Sequence, residues 1–341
     1  MLVATALACI SLFAPAMLPE TAAIAPPAGE VEPTASIATN QKIFDFRNGF
    51  WINLHHFLYL QAMLATPDAR KGHAEESAQF ASPAMTDAQK AVWDKAVQFY
   101  LKYGKRDALT DDELVQVNYE LSDAGNSATL QGRALPPALK STLEAVAPVY
   151  RALWWSEHDR RNRAWISAAA KLVAEYGLAI SKRLAAAYQT EWPKERTTVE
   201  VVMYANWAGA YTVTNGTLIT ISSTDSQGQD QAALENLFHE ISHALIDHLQ
   251  GQLYTAIRAK GKKPGFDVVH VIIFFTAGVV TTEALAGRGV HDFTPYAIQY
   301  GLYERVPGWK RDQDICEKDW RPYLEGKTTF NAALARIAED L

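Results

Sequence analysis

The apolar positions divide the chain into two textures. From residue 44 to about residue 188 they recur every three to four residues, the helical period, and the pattern predicts helices throughout. Residues 51–64 (WINLHHFLYLQAML) read as an apolar helix ended by Pro67, and residues 86–103 open with a capping box of Thr86 and Gln89. Thr110 with Glu113 repeats the device ahead of LVQVNYELSDAG. Residues 138–153 and 156–188 complete the set, with Gly177 a candidate break in the last. No internal repeat is visible.

The period changes at Pro193. Residues 198–205 (TVEVVMYA) are β-branched and strand-like, and residues 211–214 and 217–222 flank Asn215-Gly216, a strong hairpin signal. A small sheet therefore precedes residues 234–249, LENLFHEISHALIDHL. There Leu234, Leu237, Phe238, Ile241, Leu245 and Leu249 form an apolar stripe, while Asn236, His239, Glu240, His243 and Asp247 line the adjoining polar face. The fold class expected is α+β and mostly helical. A final helix is predicted over residues 330–341.

Within that amphipathic helix His239, Glu240 and His243 spell H-E-x-x-H. Side chains four residues apart share one face, so the two imidazoles can address one cation, and Glu240 stands where a carboxylate could take a proton from an activated water. Asp247 is placed to accept a ring N–H from a ligand histidine. The run HEISHALID resembles the active-site helix of the zincin metallopeptidases and is similar to that of thermolysin-like members. The metzincin variant is excluded, because its third histidine would fall at Leu249 and its glycine at Ile246. The resemblance implies a zinc-dependent peptidase acting on peptide or protein substrates, with a strand of the hairpin binding extended substrate by backbone pairing.

A catalytic zinc needs a third protein ligand. Gluzincins take a glutamate from a following helix, and Glu283 in TTEALAG has the right residue type. His270, within FDVVHVIIFF, is the rival, since an unpartnered imidazole there would be costly to bury. On one continuous helix the two side chains lie 13 residues apart, about 20 Å of rise, so both cannot hold the same ion. His270 is preferred and Glu283 stays open. Tyr296, Tyr300 and Tyr303 share one helical face, and Tyr300 or Tyr303 could supply a hydroxyl to a developing oxyanion. His55 and His56 are adjacent, point about 100° apart on a helix, and read as buried, hydrogen-bonded core residues. Trp154, Trp155, His158 and Asp159 read as core and a helix boundary. His248 points away from the ligand face, and His291 reads as solvated.

Length and charge add limits. The chain has 341 residues, 48% of them hydrophobic, and a net charge of -6, which gives no reason to expect nucleic acid as a partner. Residues 1–23 resemble a secretory signal with cleavage near Ala23, residues 24–42 a flexible spacer, residues 43–190 a helical part and residues 191–341 the zincin-like part. The protein is accordingly expected in the periplasm or secreted, with no stable membrane span after signal removal. Cys316 would then be the one remaining cysteine, which leaves no intramolecular disulfide. Two other classes compete: a non-peptidase zinc hydrolase of the same architecture, and an exported helical binding or scaffold protein.

Overall fold

The computed structural model describes residues 43–65, 80, 83–104, 106, 111–213 and 217–341. The expected signal peptide and spacer, Pro67, Thr110 and the Asn215-Gly216 turn all lie outside the described residues.

A four-stranded sheet divides two layers of helices. Its strands are β1 (Phe44–Arg47), β2 (Thr197–Val202), β3 (Ala210–Val213) and β4 (Leu218–Ser222). Their order is β1-β2-β4-β3, with β1, β2 and β4 parallel and β3 antiparallel to β4 at one edge. The strand β1 corrects the expectation of helix from residue 44 onward. Phe44 is buried while Arg47 is exposed, and the tetrapeptide FDFR pairs in register with residues 197–200 of β2. Parallel neighbours need a long crossover. Here the crossover is the entire helical part.

That part comprises α1 (Phe50–Leu64), α2 (Asp87–Tyr100), α3 (Asp112–Ala124), α4 (Pro137–Tyr150) and α5 (Ser156–Tyr188). The capping box of Thr86 and Gln89 forms as the sequence indicates. For α3 the cap is Asp111, whose side chain accepts from the N–H groups of Glu113 and Leu114. No boundary separates α4 from α5. Residues Arg151–Trp155 form a π-helical turn that carries one helix into the next, and Trp154 packs on Trp93 with ring centroids 4.3 Å apart. Nor does Gly177 break α5. A Cβ there would stand 2.8 Å from Ile43 and 3.6 Å from Phe238, so the glycine lets α5 approach the start of the sheet and the motif helix closely.

Alternate residues of the sheet feed two cores. Val199, Val201, Ile219 and Ile221 pack with α5 and the C-terminal helices; Val202, Tyr211, Val213 and Leu218 pack with α1 to α4. On the C-terminal side follow α6 (Asp230–Ser242), α7 (Asp247–Ala259) and α8 (Phe266–Ala286). Two short helical turns, Tyr296–Gln299 and Leu302–Arg305, lead to α9 (Trp309–Ile315) and α10 (Phe330–Asp340). Within α6 Leu234, Leu237, Phe238 and Ile241 are fully buried, each contributing about 1.5–3 kcal/mol by removal from water. By length and composition residues Asp267–Ala286 could cross a membrane, and 67% of the most apolar 18 residues in that stretch are buried inside the fold.

The helix expected through Leu249 ends instead at Ser242, with His243 as its C-cap. Turns at residues 243–246 redirect the chain into α7, and a loop ending at Gly265 starts α8. No break occurs at Gly278, so α8 is one continuous helix. The kink after His243 decides which end of α8 meets α6. Its first turns do.

Candidate metal centre

Two helices build the site. The polar face of α6 presents His239, with His243 at its cap, and the second turn of α8 presents His270. Their Nε2 atoms converge: His239 stands 3.3 Å from His243 and 3.4 Å from His270. One ligand-competent nitrogen from each lies within 4.8 Å of the other two, close enough to hold a metal ion. His239 is buried, whereas His243 and His270 keep a partly exposed edge. The group therefore has a floor and one open side.

The surrounding rings fix these imidazoles. Phe274, one turn beyond His270 on α8, lies over the His239 ring at 3.8 Å between centroids, and Trp309 of α9 meets His270 edge-on at 5.2 Å. Burial holds His239 well below the usual imidazole range, with His243 and His270 adding to the effect. It also lowers His243 to about 4, and burial followed by the neighbouring His243 lowers His270. Neutral imidazole is the ligand form. Three such nitrogens facing one another are a poor hydrogen-bond set, because separations of 3.3 and 3.4 Å exceed a good N–H···N contact and bring lone pairs together. They suit a shared cation instead.

Glu240 flanks the cluster on α6. Burial pushes its carboxyl up to about 7, against a hydrogen bond from Thr212 that pulls it down. The Thr212 hydroxyl, on the edge strand β3, lies 2.7 Å from Glu240 Oε2 and 2.9 Å from the Glu240 carbonyl oxygen. One hydroxyl proton cannot serve both oxygens. Both contacts are hydrogen bonds when the carboxyl is protonated, Oε2–H donating to the hydroxyl and the hydroxyl donating to the carbonyl. The site can thus hold a proton on Glu240 without strain.

Other residues singled out in the sequence fall elsewhere. Glu283 lies near the far end of α8, where its carboxylate pairs with Arg183 at 3.1 Å. Asp247 is exposed in the first turn of α7, beyond the kink. Tyr303 is buried in the C-terminal core, and Tyr300 is half-buried against Tyr296, ring centroids 4.9 Å apart. Burial raises the phenol pKa of all three of these tyrosines. Tyr296 stacks on Phe274 at 6.4 Å and so is linked to the His239 ring through it. His248 is exposed and stacks on Phe330, and His291 is exposed.

Thr212, Phe274, Trp309 and Glu235 were not marked by the sequence as parts of the site. Phe274 alone carried a usable signal, its position one turn after His270. Glu235 is fully buried one turn before His239, its Oε2 accepting the backbone N–H of Tyr296 at 2.8 Å, and burial pushes its carboxyl up to about 8. No family model matches the chain, and neither a curated protein nor a solved structure matches it significantly.

Proposed function

We propose that the protein is an exported zinc-dependent hydrolase of the zincin type that cleaves peptide bonds. The observation that carries the reading is the convergence of His239, His243 and His270 beside a buried carboxyl on the same helix. A divalent cation held by these three residues would supply Lewis acidity and a water of lowered pKa. Glu240 takes up the proton of the attacking water and returns it to the leaving amine, and its raised pKa suits both steps near neutrality. Thr212 anchors the carboxyl in both states, as acceptor when it is protonated and as donor when it is not. Phe274 and Trp309 exclude bulk water from two sides of the histidines. Tyr300, the more exposed of the two hydroxyls proposed for the oxyanion, is the better placed to meet a substrate.

A second reading has one observation in its favour. All four residues of β3 are buried, and Tyr119 of α3 donates to the Val213 carbonyl at 3.3 Å, so the helical part covers an end of the strand that would pair with an extended peptide. That cover favours a short acyl substrate, hydrolysed by the same residues, over a long polypeptide. Metal content of the purified protein, followed by hydrolysis rates on a peptide library and on short N-acyl amides, tests both. One zinc per chain and cleavage of internal peptide bonds supports the peptidase; one zinc with turnover confined to short amides supports the second reading; no zinc under metal-replete conditions refutes both.

A further inference from the structure

Two buried polar atoms beside the histidine cluster have no protein hydrogen-bond partner among the described residues: Nδ1 of His239 and Oε1 of Glu235. They belong to one face of α6, one helical turn apart. Helical side chains lean toward the N-terminus, so the His239 ring overlies the turn that carries Glu235. The facing helix repeats this spacing. Phe274 of α8 covers His239, and one turn on, a Cβ built at Gly278 would stand 3.2 Å from Glu235 Oε1 and 2.8 Å from Pro295.

The carboxyl is thus held on three sides. The Tyr296 N–H claims its Oε2, the Gly278 backbone and Pro295 close around it, and Oε1 is left without a donor. His239 has the opposite deficit. With Nε2 turned toward His243 and His270 as a ligand, a neutral ring carries its proton on Nδ1, a donor without an acceptor. A buried donor and a buried acceptor one turn apart are each costly alone and satisfied together by a single ordered water.

We propose that Glu235 is a positioning residue for the metal centre, its Oε1 receiving the Nδ1–H of His239 through one bridging water and so fixing the tautomer and orientation of that ligand. The proposal rests on the metal-centre reading above. It assigns a purpose to a carboxyl that packing alone would replace with an apolar side chain. It also places the outer support of His239 upstream on its own helix, rather than at Asp247.

The test compares wild type with Glu235→Gln. The amide has one oxygen, which the Tyr296 N–H retains, so its NH₂ faces the bridging position and the acceptor there is gone. Zinc affinity is measured by competition with a chromophoric chelator, and melting temperature is measured on the metal-free proteins. Long-range ¹H–¹⁵N spectra of the zinc-loaded, histidine-labelled proteins report each tautomer. Zinc binding is expected to weaken ten- to a hundredfold, the usual cost of losing such outer support. The metal-free melting temperature is expected to hold or rise, and the His239 Nδ1–H signal to move while those of His243 and His270 stay. Equal affinities within twofold, or a loss that follows a fall in the metal-free melting temperature, would overturn the role of Glu235. If wild type itself takes up no zinc, the metal-centre reading fails; if wild type and variant take it up alike, only the role of Glu235 fails.

Discussion

Two sets of three histidines lie on either side of the sheet, and they differ in what faces their nitrogens. On the helical side His55 Nδ1 meets the Tyr100 hydroxyl and His158 Nδ1 meets the Tyr150 hydroxyl, both at 2.8 Å. His56 is held at both nitrogens. The Ile52 carbonyl can only accept, so Nδ1 carries the proton; Nε2 then accepts from Tyr211, whose oxygen in turn accepts from Asn118. On the other side the Nε2 atoms of His239, His243 and His270 face one another. Burial lowers all six pKa values alike. Lowered basicity therefore does not separate a structural histidine from a candidate ligand. The partner atom does.

The sharpest way to break this distinction is to remove histidines of the two sets one at a time. His243→Ala and His270→Ala are expected to lose bound zinc, and with it essentially all hydrolytic activity, because a catalytic site needs three protein ligands. His158→Ala is expected to keep one zinc per chain while losing about 1–3 kcal/mol of stability, since Tyr150 is left buried without its partner. Metal analysis and urea unfolding of the three variants read both quantities. Zinc loss in His158→Ala, or zinc retained in His270→Ala, would erase the distinction.

Next in size is Glu240→Gln. It leaves the three imidazoles untouched and removes the proton acceptor, so zinc content should stay at wild-type level while kcat/KM falls by about 10²–10⁴-fold, the usual contribution of a positioned general base. Activity and metal content then separate within a single variant. If both fell together, Glu240 would be acting on the metal rather than on a proton.

Acid acts on both sets, and a variant isolates the helical side. The unfolded chain takes up histidine protons below pH about 6.5, whereas the folded protein refuses them until about 4 at His56 and about 3 at His158. The unfolded state thus binds more protons in that window. Stability is full above pH 6.5 and falls as the pH drops toward 4, by about 1.4 kcal/mol per pH unit for each such histidine. Urea titrations at successive pH values should show this slope, and His158→Gln should remove one histidine's share of it.

Much of this arrangement could be read from the residues. The amphipathic spacing around H-E-x-x-H indicated a helix with two histidines on one face, and α6 provides it. The capping box at Thr86, the apolar run of α1 and the strands around residues 198–222 follow equally local rules. The strand β1 escaped because four residues of alternation are too few to outweigh the helical run that follows, and because its partner lies some 150 residues away across the crossover. Thr212 escaped for a related reason: a threonine in a strand looks like any β-branched residue until register and edge position bring it to Glu240. The choice between His270 and Glu283 depended on the direction of α8. That direction follows from the kink at residues 243–246, which no single residue there announces.

Glu283→Ala is the smallest test and settles the choice of third ligand from the other side. Its carboxylate is paired with Arg183 at 3.1 Å, half-exposed, on the same helix as His270 but 13 residues further along. An exposed pair of this kind contributes about 0–1 kcal/mol. Arg183 also donates to the Leu324 carbonyl, so it keeps a partner when the carboxylate goes. The variant should therefore hold one zinc per chain, lose at most about 1 kcal/mol in urea, and show a smaller loss in high salt, where surface charges are screened. Zinc loss here would mean that α8 turns its far end to α6 in solution, with His270 then packed in the core like His55 and His158.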